Sequence, residues 1–171
     1  MKKTLLAFAL ASLFMTGAVQ AVDHSATVDI NGTLTRNTTE CNIITSASSL
    51  TLQGHIENLP NQGSNATNSA SGIMLAMNDS SCNGKVVLQL HGQADYADGT
   101  TLANTDSSDT AAKGVGIGIF NNDLAPLEIN KSDITLSTNS TAIFLQMVKL
   151  NKQTPVEGTV HGSLTIDVVR L

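Results

Sequence analysis

The sequence predicts an all-β protein, an antiparallel sandwich. Three observations carry that reading. Short apolar or alternating runs recur along the chain, turn residues such as Asn83-Gly84, Asp98-Gly99 and Asn121-Asn122-Asp123 separate them, and beyond Val22 no stretch has the 3.6-residue period of an amphipathic helix. Many short strands without helical crossovers point to antiparallel layers rather than a parallel sheet.

The clearest run is Ala26–Arg36, ATVDINGTLTR, where Val28, Ile30, Gly32 and Leu34 share one parity and Asp29, Asn31, Thr33 and Thr35 the other. Successive side chains of a strand point to opposite faces, so this is a segment with one apolar and one polar face. Further strands are expected over 50–54, 72–77, 85–92, 114–120, 134–137, 142–150 and 158–171. The polar tracts 61–71 and 103–112 read as surface loops.

The first residues read as a secretory signal. A basic start, Met1-Lys2-Lys3, leads into the apolar run Leu5–Val19 and then Ala18-Val19-Gln20-Ala21, which is too short a run to remain as a membrane span. With cleavage expected after residue 21, removing 21 of 171 residues leaves 150, enough for one domain with a proper core. No later segment is long and apolar enough to cross a bilayer. Of nine basic residues, Lys2 and Lys3 leave with the signal, so seven face fourteen acids and the mature net charge is −7. Seven scattered cations make no phosphate-binding patch, which argues against nucleic acid as a partner.

Cys41 and Cys82 are the two cysteines. In an exported chain the expectation is one disulfide, which in the chain-entropy model stabilises by about 4 kcal/mol for a loop of this length. Neither thiol has a histidine at ligand spacing, so a metal site is a poor competitor.

The search for chemistry returns no catalytic, cofactor or metal residues. His24, His55, His91 and His161 stand beside no serine–acid or cysteine pattern and read as solvated or rim residues. Asp95, Asp98, Asp106 and Asp109 lack the ligand pattern of a calcium loop and read as loop carboxylates. Gly114-Val115-Gly116-Ile117-Gly118 lacks the lysine and the helix of a phosphate loop, and its branched residues share one parity, as in a strand. Asn-x-Ser/Thr triplets at Asn31, Asn37, Asn65, Asn78 and Asn139 reflect an Asn- and Thr-rich composition.

Taken in order, several stretches resemble pilin subunits of the chaperone–usher fimbrial (type 1-like) family. They are the arm Ala26–Leu34 ahead of Cys41, Ser81-Cys82 before the run Lys85–Gly92 with Gln93-Ala94-Asp95, Gly114–Phe120 followed by Pro126-Leu127-Glu128-Ile129-Asn130, and the close, Gly158-Thr159-Val160 leading to Leu164–Leu171. One departure stands out, since Arg170 occupies the place before the last residue where that family usually carries an aromatic.

The resemblance implies an incomplete immunoglobulin-like sandwich over 37–171 whose missing strand is supplied by the arm, 22–36, of a neighbouring subunit. It implies that Val28, Ile30, Gly32 and Leu34 form the donor strand and that Leu164, Ile166 and Val168, in the C-terminal strand, border the groove. Its partners would be other pilin subunits in a homo- or hetero-polymer, a periplasmic chaperone and an outer-membrane usher, on a route through the periplasm to a cell-surface fimbrium that supports adhesion. No cofactor and no enzymatic activity are expected. The alternative is a secreted binding module recognising a host glycan or protein through loops 61–71 and 103–112. Those loops hold no aromatic to stack on a sugar, and Tyr96 is the one candidate nearby.

Overall fold

The structure, a computed structural model, describes residues 40–171. The expected signal 1–21, the arm, and its residues Val28, Ile30, Gly32 and Leu34 lie outside the described residues, as does His24. Nine strands follow in order: β1 Ile43–Thr45, β2 Ser71–Met77, β3 Val86–His91, β4 Leu102–Ala103, β5 Val115–Phe120, β6 Pro126–Leu127, β7 Asp133–Thr135, β8 Ser140–Lys149 and β9 Thr165–Arg170. Two single turns of 3-10 helix, Ile56–Asn58 and Ser80–Cys82, are the helical elements among the described residues.

All strand pairings are antiparallel, and they make two sheets. One runs β1-β2-β8-β5-β4, with β6 also paired to β5; the other runs β7-β3-β9. Alternation sets which residues meet between the sheets. Leu75 and Met77 of β2, Ile117 and Ile119 of β5, and Ile143 and Leu145 of β8 turn inward on one side; Val86, Leu88 and Leu90 of β3 answer from the other. Full burial of each such side chain stabilises by about 1.5–3 kcal/mol.

β5 is buried at every position. On its second face Gly116 and Gly118 precede Phe120, and neighbours close over the two glycines: a Cβ on Gly116 would lie 2.9 Å from the Leu102 carbonyl oxygen, and one on Gly118 2.9 Å from Val148 Cγ1. The glycine-rich stretch is therefore a central strand, as its parity indicates. The expected turns are present, with Gly84 and Gly99 both at φ +68°, a conformation glycine adopts freely.

The structure corrects four expectations. Residues 50–54 form no strand, although Leu52 still packs half-buried against the core. The strand expected over 158–171 is confined to Thr165–Arg170, because β3 pairs with β9 only as far as Thr165. Residues 158–164 run beyond that ladder, anchored by a loop described below. β1 and the two-residue strands β4 and β6 were not among the expected strands, and Ala103, read as the start of a loop, belongs to β4.

Candidate functional site

Between the two sheets, on one side of the sandwich, the core is uncovered. β9 pairs with β3 alone and β1 with β2 alone among the described residues, so the facing edges of the two sheets have no strand between them. The result is a groove of about 1170 Å³. One wall is the stretch from Asn42 to Gly54, the other runs from Gly158 to Val168, and Ile73, Ile117, Leu145 and Met147 form its floor.

Burial follows this geometry. Leu88 and Leu90, on the strand behind β9, are fully covered; Leu164, Ile166 and Val168 remain half-buried, and so do Ile43, Leu52 and Val160 across from them or farther along. Leu164, Ile166 and Val168 thus line one groove, Ile166 and Val168 on β9 and Leu164 just ahead of that strand rather than within it as expected. Sequence reasoning did not identify Ile43, Ile73, Ile117, Met147 and Val160 as groove residues, though Val160 shares the parity of Leu164, Ile166 and Val168 and could have been read with them. An unpaired sheet edge beside exposed aliphatic surface is a template for an added strand.

The wall beyond β9 is held by polar groups of the loop 104–112. The Asn104 amide group donates to the carbonyl oxygens of Thr159 and Ala112, both at 3.0 Å, while its oxygen accepts from the His161 amide at 2.9 Å. Backbone bonds from Thr105 to His161, Ala112 to Thr159, and Thr159 to Thr110 complete the attachment. Asp106 sits within it, accepting from the Thr159 hydroxyl and from the Ser108 amide at 2.8 Å, with His161 Nδ1 4.0 Å away. The Thr159 hydroxyl and then the Ser108 amide hold the Asp106 pKa down to about 2.

The other sequence candidates lie elsewhere. Asp95 is buried, and burial pushes its pKa up, but donors from Thr101, Ala97, Asp98 and Gln62 outweigh that and hold it below the usual carboxylate range. Asp95 therefore braces the turn 95–101, while Asp98 accepts from the Asn151 amide group at 2.5 Å. Among the described residues no cluster of His, Cys, Asp or Glu could hold a metal ion. His55 is exposed, and His91 lies 3.6 Å from Asp167 on the outer face of the β3–β9 pair. Tyr96 is 87% exposed, its hydroxyl accepting from Gln93 at 3.3 Å.

Cys41 and Cys82 are bonded, with 5.8 Å between their Cα atoms. Cys41 precedes β1 and Cys82 precedes β3, so the bridge ties the two sheets together at one end of the groove. Arg170 ends there as well, its Nη2 donating to Cys41 Sγ at 3.4 Å.

The described residues thus form a two-sheet antiparallel sandwich with an open groove beside its C-terminal strand. The chain belongs to the fimbrial protein family: the model of that family, described as fimbrial protein, matches residues 28–169. Among solved structures it is similar to the P pilus rod subunit PapA, with a TM-score of 0.54, 13% identity, and coverage of 85% of this chain and 100% of that one. It is also similar to an antigen and type I fimbria protein of Burkholderia pseudomallei, with a TM-score of 0.51, 15% identity, and coverage of 76% and 98%. At these identities the two structures establish a shared fold. No curated protein matches the chain in sequence. The protein is a structural subunit of a fimbria, in a family of structural proteins.

Proposed function

We propose that this subunit polymerises by donor-strand exchange: the arm 22–36 of one subunit fills the groove of the next, with Val28, Ile30 and Leu34 in the apolar gap and Asp29, Asn31, Thr33 and Thr35 toward water. The observation that carries this reading is the groove itself, apolar along its floor and bordered by the unpaired edge of β9. Burying the three aliphatics contributes roughly 1.5–3 kcal/mol each, and each new main-chain hydrogen bond about 0.5–1.5 kcal/mol. Ordering the arm and joining two molecules offset part of that sum.

An unfilled groove is a hazard before assembly, because exposed apolar surface and an open edge invite aggregation. This supports a periplasmic chaperone that occupies the groove first and an outer-membrane usher where the arm takes over. Export through the periplasm to the surface, with cleavage of 1–21, follows from the same reading. Cells producing the double variant Val28→Asp, Ile30→Asp as sole copy should export the protein to the periplasm at wild-type level and assemble no fibres. Normal fibres on electron micrographs would contradict the assignment of the arm.

A further inference from the structure

We infer that the outer face of β1, β2 and the start of β8 is a self-association surface, through which fibres of this chain running in opposite directions pair side by side. The inference rests on the head-to-tail polymer proposed above and adds a second contact, on the other side of the sheet from the groove. Three features of that face carry it.

The first is exposure. The polar segment 61–70 closes over one half of the outer face of the larger sheet. There Gln146 accepts from the Thr67 amide at 2.9 Å and donates to the Thr67 and Ser69 hydroxyls at 2.6 and 2.9 Å, beside the buried Val148 and Phe120. The segment then enters β2 at Ser71. On the other half Ile44 is 59% and Met74 49% exposed, with Ala76, Ala142 and Phe144 half-buried around them.

The second is relief. Each cross-strand pair on this half joins a large residue to a small one: Ile44 with Ala76, Met74 with Ala142, Phe144 with Gly72. The Phe144 ring lies across Gly72, where a Cβ would meet its Cε1 at 3.0 Å. Ile44 and Met74 therefore stand as ridges beside hollows at Ala76 and Ala142, and an identical face turned against them offers hollows for the ridges. Met74, midway between Gly72 and Ala76 on the middle strand, is at the centre.

The third is charge. None of those six residues is charged, whereas the outer face of the other sheet carries Asp133, Asp167 and His91. Copies of a chain with a mature net charge of −7 repel one another, and a neutral apolar face is where they meet at least cost. A charged partner finds nothing there to pair with; an identical face finds its match.

Symmetry then fixes the arrangement. A face that meets itself needs a two-fold axis. Subunits of one head-to-tail fibre all point the same way and no two-fold relates them, so the axis relates two fibres of opposite direction. Fibres rooted on one cell extend outward together, so the pairs form between facing cells and draw those cells together. Two exposed side chains and parts of a few others fall well short of the roughly 800 Å² per partner of a stable complex. Repetition along two fibres supplies the avidity that a single patch lacks.

The test uses the full chain, assembled on cells with a chaperone and usher. Unsubstituted fibres should pair and their cells should clump, more strongly as salt screens the net charge. Met74→Glu and Met74→Lys should each give fibres of normal number and length that stay single. The paired fraction on electron micrographs should fall by about tenfold or more, because every repeated contact weakens. Cells bearing one variant, mixed with cells bearing the other, should clump again, since the axis sets the opposite charges together. Undiminished pairing in either variant, or no clumping in the mixture, would overturn the face. Bundles on isolated single cells would overturn the opposite running of the fibres. Unsubstituted fibres that stay single would overturn the inference and leave donor-strand exchange standing. Absence of fibres from the unsubstituted chain would remove the donor-strand reading, and the pairing with it.

Discussion

Asp106 shows how one side chain shapes a surface that it does not line. It is held by the Thr159 hydroxyl and the Ser108 amide, and Thr159 in turn belongs to the groove wall. Its pKa, lowered to about 2 from an ordinary value of 3.8, links this attachment to acid. A carboxyl depressed by folding stabilises the native state above its unfolded pKa, and that contribution disappears as pH falls through the folded one. The melting temperature should therefore fall between pH 4 and pH 2, and Asp106→Asn should make that fall shallower while lowering the melting temperature at pH 7. Equal slopes for the two proteins in that window would take Asp106 out of the attachment. Nothing in the local sequence marks Asp106 for this role, because Thr159 and His161 reach it only through the fold. Leu164, Ile166 and Val168 are different: their alternation is local, so their shared face is readable from residues alone.

Among elements, the strands that sequence reveals best are those long enough to show a period. β2, β3, β5 and β8 each span six residues or more and coincide closely with the alternating or apolar runs. β4 and β6 have two residues each, too few for any period, and exist because β5 is there to pair with them. Ile43 and Ile44 of β1 interrupt the alternation, one turned to the core and the other 59% exposed. The stretch 50–54 shows the reverse case. Leu50 and Leu52 alternate as in a strand, but alternation reports which faces are wet and dry, and a ladder also needs a partner.

The disulfide acts at this same scale. It fastens the start of β1, in one sheet, to the turn before β3, in the other, across a separation of 41 residues. Cys41→Ser should lower stability by up to about 4 kcal/mol and reduce the periplasmic level of the protein. Unchanged denaturant midpoint and unchanged level under oxidising conditions would show that the sheets hold without the bridge.

For the whole molecule, the governing feature is an immunoglobulin-like sandwich whose described residues bury one side of the core and leave a groove along the other. Fold class was legible from strand spacing and the lack of helical period, and the fimbrial family from the order of its motifs. The groove's far wall and floor were not, since Ile43, Ile73, Ile117 and Met147 are brought together from four different strands of one sheet. A domain of this kind should be marginal alone and firm when complemented, because its missing contacts are those that another chain provides.

The most direct measurement of that claim is thermal unfolding of the domain lacking residues 22–36, with and without a synthetic peptide of residues 22–36. The account predicts a poorly stable domain and a large, slowly reversed rise in melting temperature when the peptide is added. A domain already stable without the arm, and unmoved by the peptide, would mean that the sandwich is complete as it stands and would contradict the account.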